Sequence, residues 1–330
     1  MPAVDVERQP ASVPATTGTA TGVALRDPWP WPVFSGLTRL ADALGYGAVF
    51  LPEIAGRDAL ATLAAVAGET TRMRLATGVV PLPSRSLALT AMAAATVHER
   101  SDGRAILGIG TGPARPGALA ALRDAVTDLR DRLAGPEGSS ADAPTVALPS
   151  RVPVWIAALG PRAMRLAGEV ADGVLLNWCP PERVGSARRE IAEGAQSAGR
   201  DPSTIEIGVY VRACMLEDRD AALAALRAAT GEYASYPAYA RQLATLGLGD
   251  LAAAAGAAHW EGRDDDVPEE LVRALTLVGD PMTARERLDR YRSAGADLVV
   301  VYPVAAGADP AGSVADTLEA LRPAALREPV

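Results

Sequence analysis

Short runs of consecutive apolar residues recur along this chain. Between them lie longer stretches in which apolar residues return at every third or fourth position. The runs span residues 22–25, 48–51, 74–80, 105–109, 154–158, 173–176, 205–211 and 298–302. Runs of this length, apolar on both faces, read as buried parallel strands. The stretches 37–44, 59–67, 87–99, 119–133, 161–169, 181–198, 219–246 with a continuation to 258, 283–294 and 314–321 read as helices. The helical spacing is explicit in Leu119, Leu122, Val126, Leu129 and Leu133. Eight strands alternating with helices favour a closed (β/α)8 TIM barrel or a large doubly wound sheet.

Residues 1–19 mix Pro, Ser, Thr and Ala without periodicity and read as a disordered tail, which leaves 20–330 as a single domain. The longest interval between strands, 215–297, carries extra helices and forms an elaborated cover over one end of the barrel before the last strand. Residues 135–144 read as a flexible surface linker. No boundary separates two folding units.

Composition narrows the picture. Of 330 residues 49% are apolar, yet only two are Phe, seven Tyr and five Trp, so the core is aliphatic. The net charge of -8 and the lack of a basic run argue against a nucleic-acid partner. All 32 basic residues are arginines, which excludes a Schiff-base lysine, a P-loop lysine and a lysine general base. Cys179, Cys214, His98 and His259 show no metal-ligand spacing, and neither a metal site nor a disulfide framework is expected. No 18-residue apolar run or signal peptide is visible, so the expectation is a cytoplasmic protein without membrane contact.

Three strand ends carry unusual small-residue sequences. In RLATGVVPLPSR (74–85), Thr77-Gly78 is followed by two prolines, and the strand must leave the sheet sharply, either as a plain exit or as a bulge that admits a flat ring. Gly108-Ile109-Gly110-Thr111-Gly112-Pro113 resembles a dinucleotide fingerprint, but the third glycine is missing in either frame; a wide turn beside a ligand fits better. In Ala157-Ala158-Leu159-Gly160-Pro161-Arg162 a glycine and a proline open a helix. That is either an ordinary helix start or a phosphate site made of free amides, the positive end of the helix dipole and the charge of Arg162.

Glu53 follows the second strand, at the catalytic face of a barrel, where it either orients a cofactor, transfers a proton or is a solvated loop carboxylate. His98, at the opposite face, reads as structural, and His259, beside Trp260, as a surface residue. Asn177, Trp178 and Cys179 end the sixth strand and line a pocket or cap the barrel. Asp27-Pro28-Trp29-Pro30-Trp31-Pro32 forms a rigid aromatic loop that shapes a bulky apolar substrate pocket or closes the barrel mouth.

The segments LADALGYGAVFLPE, TRMRLATGVVPLPSRSLALTAMAAATVHERSDGRAILGIGTG, WIAALGPRAMRLAGEVADGVLLNWCPPE and VPEELVRALTLVGDPMTARERLDRYRSAGADLVVVY resemble the luciferase-like monooxygenase superfamily. Within it they are most similar to actinobacterial coenzyme F420-dependent oxidoreductases. The likeness spans roughly residues 20–321. It implies a TIM barrel with the cofactor ring against a third-strand bulge at Thr77, Gly78 and Val79, often with a non-proline cis peptide. It also implies that Gly110, Thr111 and Gly112 border the ring or its side chain, and that Ala158, Leu159, Gly160, Pro161 and Arg162 hold the phosphate. Glu53 stands where relatives carry an acidic residue near the ring. Trp29, Trp31, Arg85, Asn177 and Trp178 are left for the substrate pocket. The stretch after Gly112 is shorter than in the relatives, which removes one wall of the site or leaves it to be supplied from elsewhere.

Three functions follow from this resemblance. The first is hydride transfer between the deazaflavin F420 and an organic small-molecule substrate, with the proton coming from Glu53, a pocket hydroxyl or water. The second is an FMN-dependent monooxygenase that uses O₂ and is supplied with reduced flavin by a separate enzyme; a flavin or F420 reductase is the expected protein partner. The third is a redox-inactive barrel that serves binding or non-redox biosynthesis. A homodimer is expected in each case.

Overall fold

Eight parallel strands close on themselves around an aliphatic and aromatic interior. The computed structural model describes residues 20–324 apart from positions 27, 55, 114 and 139; the expected tail and Asp27 of the aromatic loop lie outside the described residues. In chain order the strands are β1 (Ala20–Ala24), β2 (Ala48–Leu51), β3 (Arg74–Thr77), β4 (Val80–Pro81), β5 (Ala105–Gly110), β6 (Val154–Ala157), β7 (Gly173–Asn177), β8 (Glu206–Ala213), β9 (Thr276–Leu277) and β10 (Leu298–Pro303). β10 pairs in parallel with both β1 and β8, which closes the ring and leaves the barrel without a free edge. The two-residue β4 and β9 are additions on β5 and β8.

The helices are α1 (Trp31–Ala43), α2 (Ala59–Val66), α3 (Leu87–Arg100), α4 (Ala118–Arg132), α5 (Pro161–Val170), α6 (Pro181–Ser197), α7 (Arg219–Ser235), α8 (Pro237–Thr245), α9 (Gly249–Trp260), α10 (Glu269–Leu275), α11 (Pro281–Ser293) and α12 (Pro310–Ala320). Among the described residues no helix is long and apolar enough to cross a membrane.

Three sequence expectations need correction. The run 74–80 is not one strand: β3 stops at Thr77 and pairing resumes only at Val80. The long helix expected over 219–258 is three helices, broken before Pro237, whose ring cannot continue a helix, and at Gly247, which takes the left-handed φ of +75°. Trp31 and Pro32 belong to the first turn of α1 rather than to a loop, since a proline there removes an N–H that has no helical partner anyway. In the stretch read as a linker, Gly135–Glu137 is a short 3-10 turn, and Arg132 reaches the Asp142 carbonyl at 3.0 Å.

The apolar residues sort into three cores. The largest lies between the barrel wall and its surrounding helices. A second fills the barrel, where Phe50 meets Trp155 at 5.9 Å and Tyr210 edge-on at 5.7 Å between ring centroids. Trp155 takes its space from glycines: a Cβ on Gly208 would sit 2.8 Å from its ring. The third core belongs to the 215–297 insertion, where Leu226, Leu243, Ala255 and Leu271 of α7–α10 pack on Trp178 and Cys214. The insertion is therefore a cap with its own core, seated on the ends of β7 and β8. The opposite end of the barrel is closed by Arg74, which grips Glu206 through two bonds of 2.8 and 2.7 Å.

Candidate active site at the strand carboxyl ends

The third strand ends in a braced bulge. Thr77, fully buried, donates from Oγ1 to Gly108 O at 2.7 Å and accepts from Gly108 N at 2.8 Å. Gly78 N donates to Leu51 O at 2.8 Å, and the Gly78–Val79 peptide is cis. Glycine is required around this turn because backbone and side chains pass close. A Cβ on Gly108 would lie 2.3 Å from Thr77 O, one on Gly110 would lie 2.8 Å from Val79 Cγ2, and one on Gly78 would lie 2.0 Å from Tyr210 Oη. Gly108 and Gly110 thus make room for the bulge itself, and Val79 stays half-buried at the rim.

Beside the bulge, Glu53 is fixed rather than free. Arg85 Nη1 lies 3.2 Å from Oε2, Ala59 N donates to the same oxygen at 3.2 Å, and Ser84 Oγ donates to Oε1 at 3.4 Å. The other arm of Arg85 holds Asp58, the cap of α2, at 2.8 Å. Trp31 stacks beside the Arg57 guanidinium at 5.8 Å, and Arg57 donates to Trp29 O at 2.9 Å. Both tryptophans pack against the outer core.

The corner after β6 is open. Gly160 precedes α5 without any side-chain cap, and a Cβ placed on it would meet nothing within 4 Å. Ala158 is buried, Leu159 and Gly160 are half-buried, and Pro161 and Arg162 are exposed. Arg162 makes no ion pair among the described residues. An uncapped helix start with a free cation can receive an anion, and Gly112, at φ +67°, turns the chain away on the neighbouring strand. A braced wall, an open amide corner and a guanidinium without an ion pair among the described residues thus stand at the strand carboxyl ends.

The far side of the mouth was hardly legible in advance. Tyr210, reaching across from β8, donates to Gly78 O at 3.4 Å. Two residues on, Arg212 is only 3% exposed. Its guanidinium sits over the rings of Tyr302 at 4.3 Å, Trp178 at 4.5 Å and Tyr233 at 4.8 Å, and donates to Asn177 Oδ1. Asn177 in turn donates to Tyr239 Oη at 2.7 Å, and Gln242 donates to Trp178 O at 2.7 Å. Burial raises the phenols of Tyr210, Tyr302 and Tyr239, the last to about 12, so these rings stay neutral. Trp178 has φ +48°, an uncommon backbone state for a bulky residue, and among the described residues its buried Nε1 has no partner; nor has Gln242 Oε1. Asn177 and Trp178 were expected to line a pocket or cap the barrel, and they do meet the cap. Arg212, Tyr210, Tyr302 and Gln242 gave no motif, because each becomes notable only through neighbours distant in sequence.

The remaining chemistry-bearing residues sit elsewhere. His98 is buried at the opposite end of the barrel with Nε2 3.0 Å from Ser150 Oγ, and burial lowers its pKa to about 4. His259 lies in the cap beside Asp264 at 2.9 Å. Cys179 and Cys214 are free and buried, with thiols pushed up to about 12 and 11 by burial. A cavity of about 360 Å³ opens outside the barrel between α6, the cap and α11, lined by Glu182, Arg183, Leu246, Arg287 and Arg290 among others.

The chain is similar to known proteins in sequence and in fold. The family model described as luciferase-like monooxygenase matches residues 17–298. The 5,10-methylenetetrahydromethanopterin reductase of Methanolobus tindarius is 34% identical over 204 residues, 56% of this chain and 62% of that protein. The enzyme of the same name from Archaeoglobus fulgidus is 28% identical over 287 residues, 79% of this chain and 86% of that protein. In fold, the coenzyme F420-dependent tetrahydromethanopterin reductase of Methanopyrus kandleri superposes with a TM-score of 0.73 at 22% identity, covering 91% of this chain and 97% of that one.

Proposed function

This chain belongs to the luciferase-like monooxygenase family, and on that premise we propose that it transfers a hydride between coenzyme F420 and an organic substrate. The observation that carries the reading is the braced bulge at Thr77–Val79 facing the same rim as the open, cationic corner at Gly160–Arg162. Relatives whose names specify F420 or a methanopterin reductase favour the deazaflavin over FMN.

Bound there, the deazaflavin supplies the carbon that carries the hydride. The chain's own residues do the rest. The Thr77 clasp holds the bulge as a rigid wall for one ring face. The first turn of α5 and Arg162 bind the phosphate, with Ala158 and Leu159 behind it, and Gly110, Thr111 and Gly112 border the ring. Glu53 orients rather than protonates, since Arg85, Ser84 and the Ala59 amide already occupy its oxygens. Tyr210, Tyr302 and the cap exclude water from the opposite face.

The test is equilibrium titration of the purified protein with F420 and with FMN, each oxidised and reduced. The expected result is F420 binding at roughly tens of micromolar or tighter, with FMN weaker. Preferred binding of FMN together with O₂ consumption would replace the proposal with a monooxygenase. Binding of neither would leave a redox-inactive barrel.

A further inference from the structure

We infer that Arg212 is the charge that recognises the substrate, and that the substrate presents a carboxylate to it. The inference rests on the redox reading of the same mouth. Arg212 is 3% exposed, and among the described residues no carboxylate pairs with it. That sets it apart from Arg183, also buried, which holds Glu190 at 2.7 Å, and from Arg74, held by Glu206. A cation withdrawn from water in this way is costly unless something compensates it.

The surroundings compensate in part. Rings of Tyr302, Trp178, Tyr233 and Tyr210 lie within 4.3 to 5.9 Å of the guanidinium carbon, and cation–π attraction offsets some of the lost hydration. Among the described residues the groups in contact with it carry no negative charge: Asn177 is an amide and the buried phenols are held neutral, while Glu232, whose charge reaches Tyr302 from the cap, accepts from Tyr236 at 3.0 Å. Asn177 accounts for one of the five guanidinium donors. In the same cluster the indole Nε1–H of Trp178 is buried without an acceptor among the described residues. One buried donor lacks an acceptor beside a charge that lacks its counterion, and a planar carboxylate supplies what both lack.

Position makes this a substrate group. Arg212 stands next above Tyr210 on the inward face of β8, and Tyr210 touches the Gly78 carbonyl of the bulge. A molecule whose carboxylate meets Arg212 therefore lies beside the wall assigned to the ring. Asn177, Tyr233 and Tyr239 keep part of their surface in solvent, so the box is reached from the seam between barrel and cap. The alternative role is a strut in which Arg212 only joins cap to barrel.

Benzoate separates the two, with the neutral near-isostere benzamide as control, in calorimetric titrations of the whole protein. The expected result is benzoate binding in the millimolar range or tighter, with benzamide about tenfold weaker or more. Arg212→Met should weaken benzoate by at least about tenfold. Asn177→Asp should do the same while keeping the fold, because its carboxylate neutralises Arg212 internally and can accept from the Tyr239 hydroxyl, which in the wild type accepts from the Asn177 amide. Near-UV circular dichroism reports folding, and if Arg212→Met unfolds, Asn177→Asp decides. Equal binding of benzoate and benzamide, or undiminished benzoate binding by Asn177→Asp, would overturn the inference. F420 binding without benzoate binding sinks this inference alone. Benzoate binding without either cofactor sinks the redox reading and keeps the carboxylate site.

Discussion

The Thr77 hydroxyl clasps Gly108 in both directions, donating to its carbonyl at 2.7 Å and accepting from its amide at 2.8 Å. A side chain here replaces the ladder bonds lost when β3 leaves the sheet. Thr77→Val keeps the shape and removes the clasp, leaving both groups of Gly108 unpaired in the interior. We expect a loss of roughly 2–3 kcal/mol in urea unfolding, with Thr77→Ser close to wild type. Equal stability of the Val and Ser variants would show that the hydroxyl braces nothing.

Gly78 and Tyr210 compete for one space. A methyl on Gly78 would lie 2.0 Å from Tyr210 Oη but 3.3 Å from Cζ. Gly78→Ala should cost about 1–3 kcal/mol through overpacking, and Tyr210→Phe in the same chain should recover at least half of it. Strictly additive effects of the two substitutions would rule out the contact as the cause.

At Gly160 stability and binding should part company. Asp at this position caps α5 and stabilises it by a few tenths of a kcal/mol, while its charge repels a phosphate. Gly160→Asp should leave thermal stability unchanged or raised and weaken F420 by at least about tenfold. Unaltered affinity would remove this corner from the phosphate site.

Glu53→Gln tests orientation against proton transfer. If Glu53 positions the ring through Arg85, the variant should bind cofactor a few-fold more weakly and keep the shape of the wild-type pH–rate profile. Loss of one limb of that profile would instead make Glu53 the acid.

His98 makes stability depend on pH. Burial lowers its pKa from 6.5 to about 4, so below 6.5 the unfolded chain takes up a proton that the folded site refuses. Stability should therefore fall as pH drops from 6.5 towards 4, by roughly 3 kcal/mol in total from this group. His98→Asn should flatten that part of the urea-midpoint curve. An equal slope in the variant would assign the effect to other groups.

Much of the architecture is written in local pattern. The eight apolar runs and the helical spacings between them narrow the fold to a closed barrel or a doubly wound sheet, and the pairing of β10 with both β1 and β8 decides for the barrel. The glycines and prolines after Thr77, Gly110 and Leu159 mark the corners, because a chain without Cβ or without an N–H can turn in only a few ways. The broken helix over 219–258 was also marked, by Pro237 and Gly247, although its apolar spacing runs on through both. By contrast, Gly108 and Gly110 explain themselves only once Thr77 O and Val79 lie against them.

Arg212 is the limiting case. In the sequence it is one arginine among 32 basic residues, following an ordinary strand. Its isolation is produced by Trp178 just past the end of β7, Tyr302 on β10 and Tyr233 from the cap, brought together by barrel closure and by the cap's separate core. The chain by itself determined where strands end, since turning depends on neighbouring residues. Only the closed structure decided which charge was stripped of water, because desolvation depends on every group that arrives from elsewhere in the chain.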